Sequence, residues 1–501
     1  MKMKLAIRFA FRFLFLITLL SLSPASSVAE LWPAWAAGYR SIAAFTIDSS
    51  GSVFLVAPAT IYTNGVISKP MILAKFDPNG ALEWTTFSMP WSSDSFTVRK
   101  VVADNEGGCY VAGAGIVYNR PFIWLQRYNH AGQLLWSVND TASDASARLL
   151  KDISVSDKGR VFLLEVQPAT STNWNFVVTT FDSSGQQLWR SSQGGFTSSP
   201  PGVILPSADG CILAGTSTGI TNSGGYLVAK LDDFGSVIWV SRHHDTPSAR
   251  EMLTAITPDS AGNIYVIGKS APTNSASRCV IVKYDLAGSE LWSIQYNPSD
   301  NAPTAPVAIA TDSEHNVLMT GWSSSNIVTV KFSARGEQLW EALYSSGSGA
   351  SDYPVAIGTD SDGQIYVGAS VSGAAAVLGY SPDGRLFMQN RHSGCGGRQT
   401  AIGLIMHDTG ELYLGTTDWI IKYSGTPAPE LRIDIYRLAA HSVGLLLTGE
   451  AGHCYELWTA FSGDTNWTRY YSSMNLTGRV EFPWTSSATA PWRFFRFHRV
   501  D

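Results

Sequence analysis

The sequence predicts an all-β fold, an eight-bladed β-propeller that is closed by an N-terminal strand and followed by a small β-sandwich-like domain. Three observations lead to this prediction. A segment of about fifty residues repeats along the chain, and each copy divides into four short strand-like runs. The last copy lacks its fourth run, which the start of the chain can supply. A fixed period of this length is typical of repeat architectures, and four antiparallel strands per repeat are typical of propeller blades.

A phrase that ends in tryptophan is the most regular part of each repeat. The stretch from Lys283 to Trp292, KYDLAGSELW, is a clean copy, and successive copies are 52, 52, 53, 50, 53, 48 and 48 residues apart. We predict that the tryptophans are structural and wedged between neighbouring blades, because burying one ring removes roughly 150–250 Å² from water. They are Trp32, Trp84, Trp136, Trp189, Trp239, Trp292 and Trp340, and Met388 takes the remaining place.

One repeat, residues 253–296, shows how four strands arise. Short runs rich in β-branched and aromatic residues are separated by turn residues, which is the pattern of strands. The turns begin with Asp and reach Gly three residues later, as at Asp285 and Gly288. The Asp side chain accepts backbone hydrogen bonds and Gly supplies a positive φ, so we predict tight hairpins. Repeated aspartates could also be metal ligands, but turn chemistry accounts for their spacing in full.

The two ends of the repeat array predict that the ring closes. The last repeat has runs at 402–405, 411–415 and 419–423 and then stops. The segment from Glu30 to Trp35 begins with Glu-Leu-Trp, as the fourth strand of the clean copy does. We therefore predict that the N-terminal segment completes the eighth blade, which leaves no open sheet edge.

Residues 1–29 are predicted to be a signal peptide. Lysines and arginines precede the apolar run 13–22, and the small-residue site Ser27-Val28-Ala29 follows it. The run is too short for a bilayer span, which needs about twenty residues. An uncleaved N-terminal anchor is the alternative. We expect a mature protein that has no integral membrane segment and is secreted, periplasmic or on the cell surface.

Composition divides the mature chain into three parts. Residues 30–424 contain the repeats, residues 425–429 form a Pro-containing linker, and residues 430–501 are predicted to form the C-terminal β-sandwich-like domain. Four tryptophans of that domain are either its core or a carbohydrate-stacking face. Core is favoured, because so small a domain needs large apolar side chains. These tryptophans are Trp458, Trp467, Trp484 and Trp492.

Charge and cysteine content limit the partners. The chain has 35 Lys and Arg against 40 Asp and Glu, without a basic stripe. This argues against nucleic acid and anionic membranes. Five cysteines in 501 residues do not make a disulfide framework, and Cys109 and Cys211 are predicted to be buried apolar groups. We expect a monomer whose partner is a protein or a carbohydrate.

The variable loops are the predicted binding region. In a propeller the second-to-third loops and the connections between blades share one face, and here those segments vary while the opposite turns repeat. Variable loops on a rigid scaffold are where binding usually lies. Each candidate residue has local packing as its alternative role. The candidates are Tyr62, Trp91, Trp174, His243, His244 and Tyr353.

No catalytic residue, cofactor site or metal site is predicted. His243-His244-Asp245 is the densest group of possible metal ligands, but adjacent side chains of an extended chain point to opposite faces. Nucleophile-elbow, zincin, phosphate-loop and paired-cysteine zinc motifs do not occur in the sequence. Because propeller enzymes assemble sites from single residues on several blades, an enzyme stays an alternative.

The repeat core resembles the SBBP-type bacterial β-propeller repeat. The matching phrases in one copy are ATDS at 310–313, VLMTG at 317–321, VTVKF at 328–332 and GEQLW at 336–340. This resemblance covers about 395 residues and implies an exported or surface-associated protein that binds rather than catalyses. The tail phrase GEAGHCYEL at 449–457 is similar to a β-domain at the C-termini of exported bacterial proteins.

The Gly-x-x-Leu-Trp phrase is also similar to the tryptophan-docking motif of eight-bladed quinoprotein dehydrogenases. Those enzymes hold pyrroloquinoline quinone and calcium, often beside a vicinal disulfide, and no Cys-Cys pair occurs here. We interpret the likeness as kinship of fold only. The leading hypothesis is an exported, non-enzymatic scaffold that binds a protein or polysaccharide through its variable-loop face. The alternatives are a propeller enzyme, either a quinone-dependent dehydrogenase or a glycan hydrolase or lyase, and a structural cell-surface protein.

Overall fold

The structure is a computed structural model of the chain. It describes the backbone of residues 2–5, 27–33, 42–59, 61–63, 66–90, 95–141, 148–169, 174–196, 202–217, 225–245, 249–272, 276–299, 302, 304–347, 351–392, 399–427, 432–439, 442–448, 454–461, 468–474, 479–485 and 493–499. Side chains are described within residues 42–423, outside the gaps and outside 61–68 and 195–196.

The repeats form eight four-stranded antiparallel blades, as predicted. Blades 1 and 2 consist of Ala44–Ile47, Val53–Pro58, Met71–Phe76 and Leu82–Ser88, and of Ser95–Ala103, Cys109–Val117, Arg120–Tyr128 and Leu134–Thr141. Blades 3 and 4 consist of Leu149–Val155, Val161–Pro168, Trp174–Phe181 and Gln187–Phe196, and of Val203–Ser207, Gly210–Ser217, Gly225–Asp232 and Val237–His243. Blades 5 and 6 consist of Arg250–Pro258, Ile264–Ala271, Arg278–Tyr284 and Glu290–Tyr296, and of Thr304–Thr311, Val317–Ser323, Asn326–Phe332 and Gln338–Tyr344. Blade 7 consists of Tyr353–Thr359, Ile365–Val371, Ala374–Tyr380 and Leu386–His392.

The eighth blade is closed by the N-terminal strand, which confirms that prediction. Its own strands are Ala401–Met406, Leu412–Thr416 and Trp419–Pro427, and Ser27–Pro33 is the fourth. Glu30 lies opposite Lys422 and Trp32 opposite Ile420 in the antiparallel register.

Both strands at this junction extend beyond the boundaries drawn from the sequence. Residues 425–427, predicted to be linker, belong to the third strand, because the pairing continues until Ser27 lies opposite Pro427. The closing strand likewise starts three residues before Glu30. A proline at a strand end is compatible with pairing, since it lacks only the N–H donor.

The first strands form the inside of the ring and the fourth strands its outside. First strands of successive blades contact one another around most of the ring, and Ala44–Ile47 of blade 1 contacts Ala401–Met406 of blade 8. The order of strands within each sheet then places the fourth strand farthest from the centre.

The Asp-to-Gly turns have the predicted geometry. In blade 5, Asp259 Oδ1 accepts hydrogen bonds from the backbone N–H groups of Ala261 and Asn263, at 3.0 and 2.9 Å. Gly262, with φ of +83°, donates its N–H to the Asp259 carbonyl. Where His315 replaces this glycine in blade 6, it also takes a positive φ, of 62°. The turns therefore satisfy the aspartates without a metal ion.

The repeated tryptophans join neighbouring blades. The Trp292 indole N–H of blade 5 donates to the Ala334 carbonyl in the third-to-fourth turn of blade 6, at 3.1 Å. Lys283 Nζ donates to the same carbonyl at 3.2 Å. Equivalent indole bonds run from Trp84 to His130, Trp136 to Ser183, Trp189 to Asp233, Trp239 to Leu286 and Trp340 to Pro382.

Six of the repeated tryptophans lie between neighbouring blades, and they are less buried than the sequence suggested. Each packs against a hydrophobic cluster that two blades share, but each stays partly exposed because it lies on an outer strand. Met388, in the equivalent place of blade 7, is buried against blade 8. The side chain of Trp32 lies outside the described residues.

The cysteines whose side chains are described lie in strands and pack in the hydrophobic clusters. Cys109, Cys211 and Cys279 are buried free thiols, and burial raises the pKa of Cys211 to about 12. They behave as the small apolar groups predicted for the first two. Cys395 lies outside the described residues, as does the side chain of Cys454.

Residues beyond the propeller form two small sheets. Arg432–Ala439, Ser442–Thr448 and Arg479–Thr485 make one sheet. Thr468–Met474, Cys454–Phe461 and Arg493–Arg499 make the other, and Lys2–Leu5 pairs with its last strand. The separate β-sandwich-like domain stays a prediction. The part of the chain that the structure describes contains no helix with the length and hydrophobicity that a membrane span requires.

Candidate functional site

The two faces of the ring differ in construction. One face carries the first-to-second and third-to-fourth turns, which are short and, apart from the first-to-second turn of blade 4, share one hydrogen-bonding pattern among the described residues. The other, the variable face, carries the second-to-third loops and the connections between blades. In blade 1 its loop contains a further hairpin of Ile61–Thr63 and Val66–Ser68, whereas in blade 2 it is a two-residue turn.

The blade 2 hairpin presents an exposed tyrosine that sequence analysis missed. Its two nine-residue strands end at a turn in which Tyr118 and Asn119 have φ angles of 48° and 60°. A left-handed tyrosine is uncommon, and this one is 82% exposed. The available signal was two long apolar runs separated only by Tyr-Asn, a pattern of type I′ turns that usually includes glycine.

A second exposed aromatic lies where blades 6 and 7 meet. Tyr353 is 46% exposed and makes an edge contact with Trp322, with ring centroids 6.3 Å apart. The preceding residue, Asp352, is buried and accepts hydrogen bonds from the backbone N–H groups of Ser346 and Ser372, at 2.7 and 3.1 Å. This clamp holds the backbone from which Tyr353 projects.

The predicted histidines lie at the junction of blades 4 and 5. His243 is buried, stacks on Tyr226 and has its Nδ1 3.0 Å from Glu290 Oε2. His244 is more exposed, and its Nδ1 is 4.0 Å from Glu251 Oε2. His243 therefore packs in the junction rather than facing a partner.

Asp245, which follows the two histidines, is hydrogen-bonded to neighbouring side chains. Its Oδ2 accepts hydrogen bonds from Ser270 at 2.6 Å and from Arg278 at 2.7 and 3.1 Å. Burial favours the neutral acid, but these donors outweigh it and hold the pKa of Asp245 below its usual range. Within the described ranges, no group of three or more His, Cys, Asp or Glu side chains is placed to hold a metal.

Blades 2 and 3 meet at a balanced network of charges. Arg148 binds Glu165 Oε2 at 2.6 and 2.9 Å and Asp140 Oδ2 at 2.6 Å, and Arg190 binds both acids at 2.8 Å. The adjoining cavity, lined in part by Trp124, has a volume of about 20 Å³, which is room for about one water. The two positive charges match the two negative ones, so this junction is structural.

The inner strands of blades 2 and 3 carry a second group of charged residues. Arg99 and Lys151 are the extra residues of β-bulges at equivalent places in these strands. The Arg99 Nε donates to the Lys151 carbonyl at 2.9 Å, and Lys100 Nζ lies 2.8 Å from Asp152 Oδ1. Sequence analysis missed this group, although a separation of one repeat period is a signal that residues lie side by side in a ring.

A β-bulge recurs in the first strands around the ring, but a positively charged residue occupies the bulge only in blades 2 and 3 among the described strands. The extra residue is uncharged in the four other blades in which the register shows a bulge. These residues are Thr254, Val307, Val355 and Ile402. Blades 2 and 3 therefore make one side of the inner ring basic.

The predicted partner-binding residues whose side chains the structure describes do not converge on one place. Trp174 is half-buried and packs against the core cluster shared by blades 3 and 4. Tyr62 lies in the extra hairpin of blade 1, and its side chain lies outside the described residues, as does all of Trp91. Among the candidate tyrosines and tryptophans whose side chains are described, Tyr353 is the exposed one. It lies two blades away from the junction of blades 4 and 5, where the histidines lie.

The fold defines the protein as an eight-bladed β-propeller. No protein-family profile matches the chain, so the SBBP-type resemblance stays a prediction. No curated protein matches it either.

Several solved propellers are similar in outline. The WD40 domain of SCAP from fission yeast has 10% identity and a TM-score of 0.45, over 79% of this chain and 98% of that one. A puromycin hydrolase complexed with PGG has 10% identity and a TM-score of 0.44, over 76% of this chain and 59% of that one. An ulvan lyase from a new polysaccharide lyase family has 10% identity and a TM-score of 0.41, over 73% and 96%. Similarity at this level carries no argument about function.

Proposed function

We propose that the protein is an exported binding protein that holds a protein or polysaccharide partner on its variable face. The observation that carries the proposal is the presence there of exposed aromatic side chains on a fixed backbone. Tyr118 projects from a long hairpin, and Tyr353 follows the clamped Asp352. Aromatic residues are enriched in binding surfaces, because they supply large contact areas at low cost in conformational entropy.

The opposite face supplies a matched control. Phe234, in the third-to-fourth turn of blade 4, is 82% exposed, as Tyr118 is. Replacing either residue by alanine removes a ring of similar size from a turn. A partner that binds the variable face should lose affinity when Tyr118 is replaced and keep it when Phe234 is replaced.

The test is an array of polysaccharides probed with the full chain and its variants. We expect binding that falls at least tenfold in the double variant Tyr118→Ala, Tyr353→Ala and persists in Phe234→Ala. Loss in Phe234→Ala with retention in the double variant would place the binding surface on the other face and refute the proposal. Silence across the array would favour a protein partner.

The enzyme and surface-scaffold alternatives stay hypotheses. Adding pyrroloquinoline quinone with calcium tests the dehydrogenase version, since an enzyme of that class acquires a bound chromophore and reduces a dye. Removing residues 430–501 tests the structural alternative, in which that segment anchors the protein. Unchanged retention at the cell surface would count against it.

A further inference from the structure

The basic side of the inner ring contains two cations without a counter-charge. Asp152 is the acid of this group, and its carboxylate is already engaged by Lys100 at 2.8 Å and by the Ile204 backbone N–H at 3.1 Å. Arg99 bonds the Lys151 carbonyl, and neither Arg99 nor Lys151 has an acidic partner among the residues that the structure describes. Two like charges are thus held together on adjacent strands.

This pairing of cations is unfavourable unless something neutralises it. Lys151 is half-buried, and burial together with the charge of Arg99 lowers the pKa of Lys151. A bound anion would remove both penalties, because it would accept hydrogen bonds from the ammonium group and compensate the neighbouring guanidinium.

The geometry of Arg99 suits the binding of an oxyanion. Its Nε is fixed by the Lys151 carbonyl of the next blade, which orients the planar guanidinium. The terminal nitrogens of a fixed guanidinium can donate to two oxygens of a carboxylate or sulfate, and Lys151 adds a point charge beside them. The uncharged bulge residues Thr254, Val307 and Val355 on other blades do not compete for the anion.

We propose that Arg99 and Lys151, with Lys100 beside them, form a binding site for an oxyanion, the sulfate or carboxylate group of a small anion or acidic sugar that enters the central channel. The site is independent of partner binding by Tyr118 and Tyr353. A failure of the proposed function therefore leaves it standing, and its own failure leaves the proposed function standing.

Calorimetric titration of the full chain at low ionic strength tests the site, with inorganic sulfate, glucuronate and glucose as probes. We expect sulfate and glucuronate to bind and glucose to give no heat. Tighter binding of glucuronate would identify an acidic sugar as the ligand, and tighter binding of sulfate would identify a free anion. The proposal would be overturned if sulfate and glucuronate gave no more heat than a chloride solution of equal ionic strength.

Three variants locate the binding. Arg99→Gln and Lys151→Met should each weaken sulfate binding at least tenfold, since each removes a charged hydrogen-bond donor from the anion. Arg335→Gln removes the same charge from an exposed turn of blade 6 and should bind as the parent does. Equal affinity in all three variants would show that the cations do not hold the anion.

A stability readout separates binding from a purely structural role. Sulfate should raise the melting temperature of the parent and of Arg335→Gln, because a ligand that binds the folded state stabilises it. The increase should be smaller in Lys151→Met, because sulfate stabilises folded proteins in general but binds this variant more weakly. Among the described residues the Lys151 side chain has no hydrogen-bonding partner, so this variant still tests the site if Arg99→Gln fails to fold. An increase in Lys151→Met as large as that in the parent and in Arg335→Gln would contradict the proposal.

Discussion

At the scale of single residues, six junctions between blades contain a hydrogen bond from a tryptophan to the third-to-fourth turn of the next blade. Trp292 and Lys283 donate to the same carbonyl, that of Ala334, and Trp136 and Arg127 share the carbonyl of Ser183. One acceptor therefore receives an indole N–H and a cation from the neighbouring blade. This contact ties the third and fourth strands of one blade to a turn of the next blade.

Replacing Trp292 by Phe should test the indole bond. The change removes the N–H donor and keeps most of the ring contact, so we expect a loss of about 1 kcal/mol in the free energy of unfolding. Trp292→Ala should lose about 2–3 kcal/mol, which is less than for a fully buried ring because Trp292 is partly exposed. Denaturant unfolding measures both. A neutral Trp292→Phe would show that the shared carbonyl contributes nothing.

Glycine is required in the third-to-fourth turn of blade 5 for two reasons, its positive φ and the space it leaves for the tryptophan of blade 4. Two variants separate these reasons. A Cβ at Gly288, where φ is +79°, would lie 2.5 Å from the Trp239 ring, whereas Gly410, at +83°, has open space. Gly410→Ala should cost about 1–2 kcal/mol, from backbone strain alone. Gly288→Ala should cost about 1–3 kcal/mol more, because the ring must move. Equal losses in thermal or denaturant unfolding would mean that the tryptophan adapts freely.

At the scale of the element, the first-to-second turn of blade 6 couples folding to pH. Asp312 is buried and lies 3.0 Å from Lys331 Nζ, and Asn316 donates to the same carboxylate. Burial would favour the neutral acid, but Asn316 and Lys331 outweigh it, so the pKa of Asp312 is lowered. Stability from this group is therefore present above the unfolded value of about 3.9 and is lost as the pH falls through the lower folded value.

Asp312→Asn should remove this dependence on pH. At pH 7 we expect the variant to be less stable than the parent by about 1–3 kcal/mol, since Lys331 loses its buried partner. At pH 2–3 the difference should shrink, because the parent carboxylate is then partly protonated. Asp362→Asn changes an exposed carboxylate and should be near neutral at both values. A constant difference for Asp312→Asn across this range in denaturant unfolding would refute the coupling.

Elements with local signals could be predicted from the sequence. The Asp285 and Gly288 spacing determined the turns, and the match of Glu30-Leu31-Trp32 to a fourth strand predicted the closing strand. The candidate site was harder to predict from the sequence, because it depends on which blades are adjacent in the ring and on how deeply the ends of the loops are buried. Arg99 and Lys151 are brought together by the ring. His243 and Trp174 looked like free loop residues, yet the blade junctions bury His243 and partly bury Trp174.

At the scale of the whole molecule, the closing strand converts a stack of blades into a ring. Pairing between Ser27–Pro33 and Trp419–Pro427 joins segments roughly 390 residues apart. Closing a flexible loop of that length costs about 5 kcal/mol on the logarithmic scale of chain entropy. The pairing of the closing strand has to offset the cost of closure that remains once the blades between the two segments have folded.

A chain that starts at residue 42 should show what the closing strand contributes. Without it, the strand Trp419–Pro427 becomes an open sheet edge, so we expect a lower melting temperature and self-association by light scattering. A chain that starts at Ser27 keeps the strand and is the control. If the shorter chain were monomeric and melted at the same temperature, blade 8 would not need its N-terminal strand.

The same pairing imposes an order in time. The segment Ser27–Pro33 is synthesised roughly 390 residues before its partner strand, Trp419–Pro427. At translation rates of about 5–20 residues per second, the first segment waits roughly 20–80 seconds for its partner. Throughout that interval blades 1 to 7 can pair internally, but the ring has no means of closing. The earliest strand of the propeller to be synthesised is therefore among the last to reach its place.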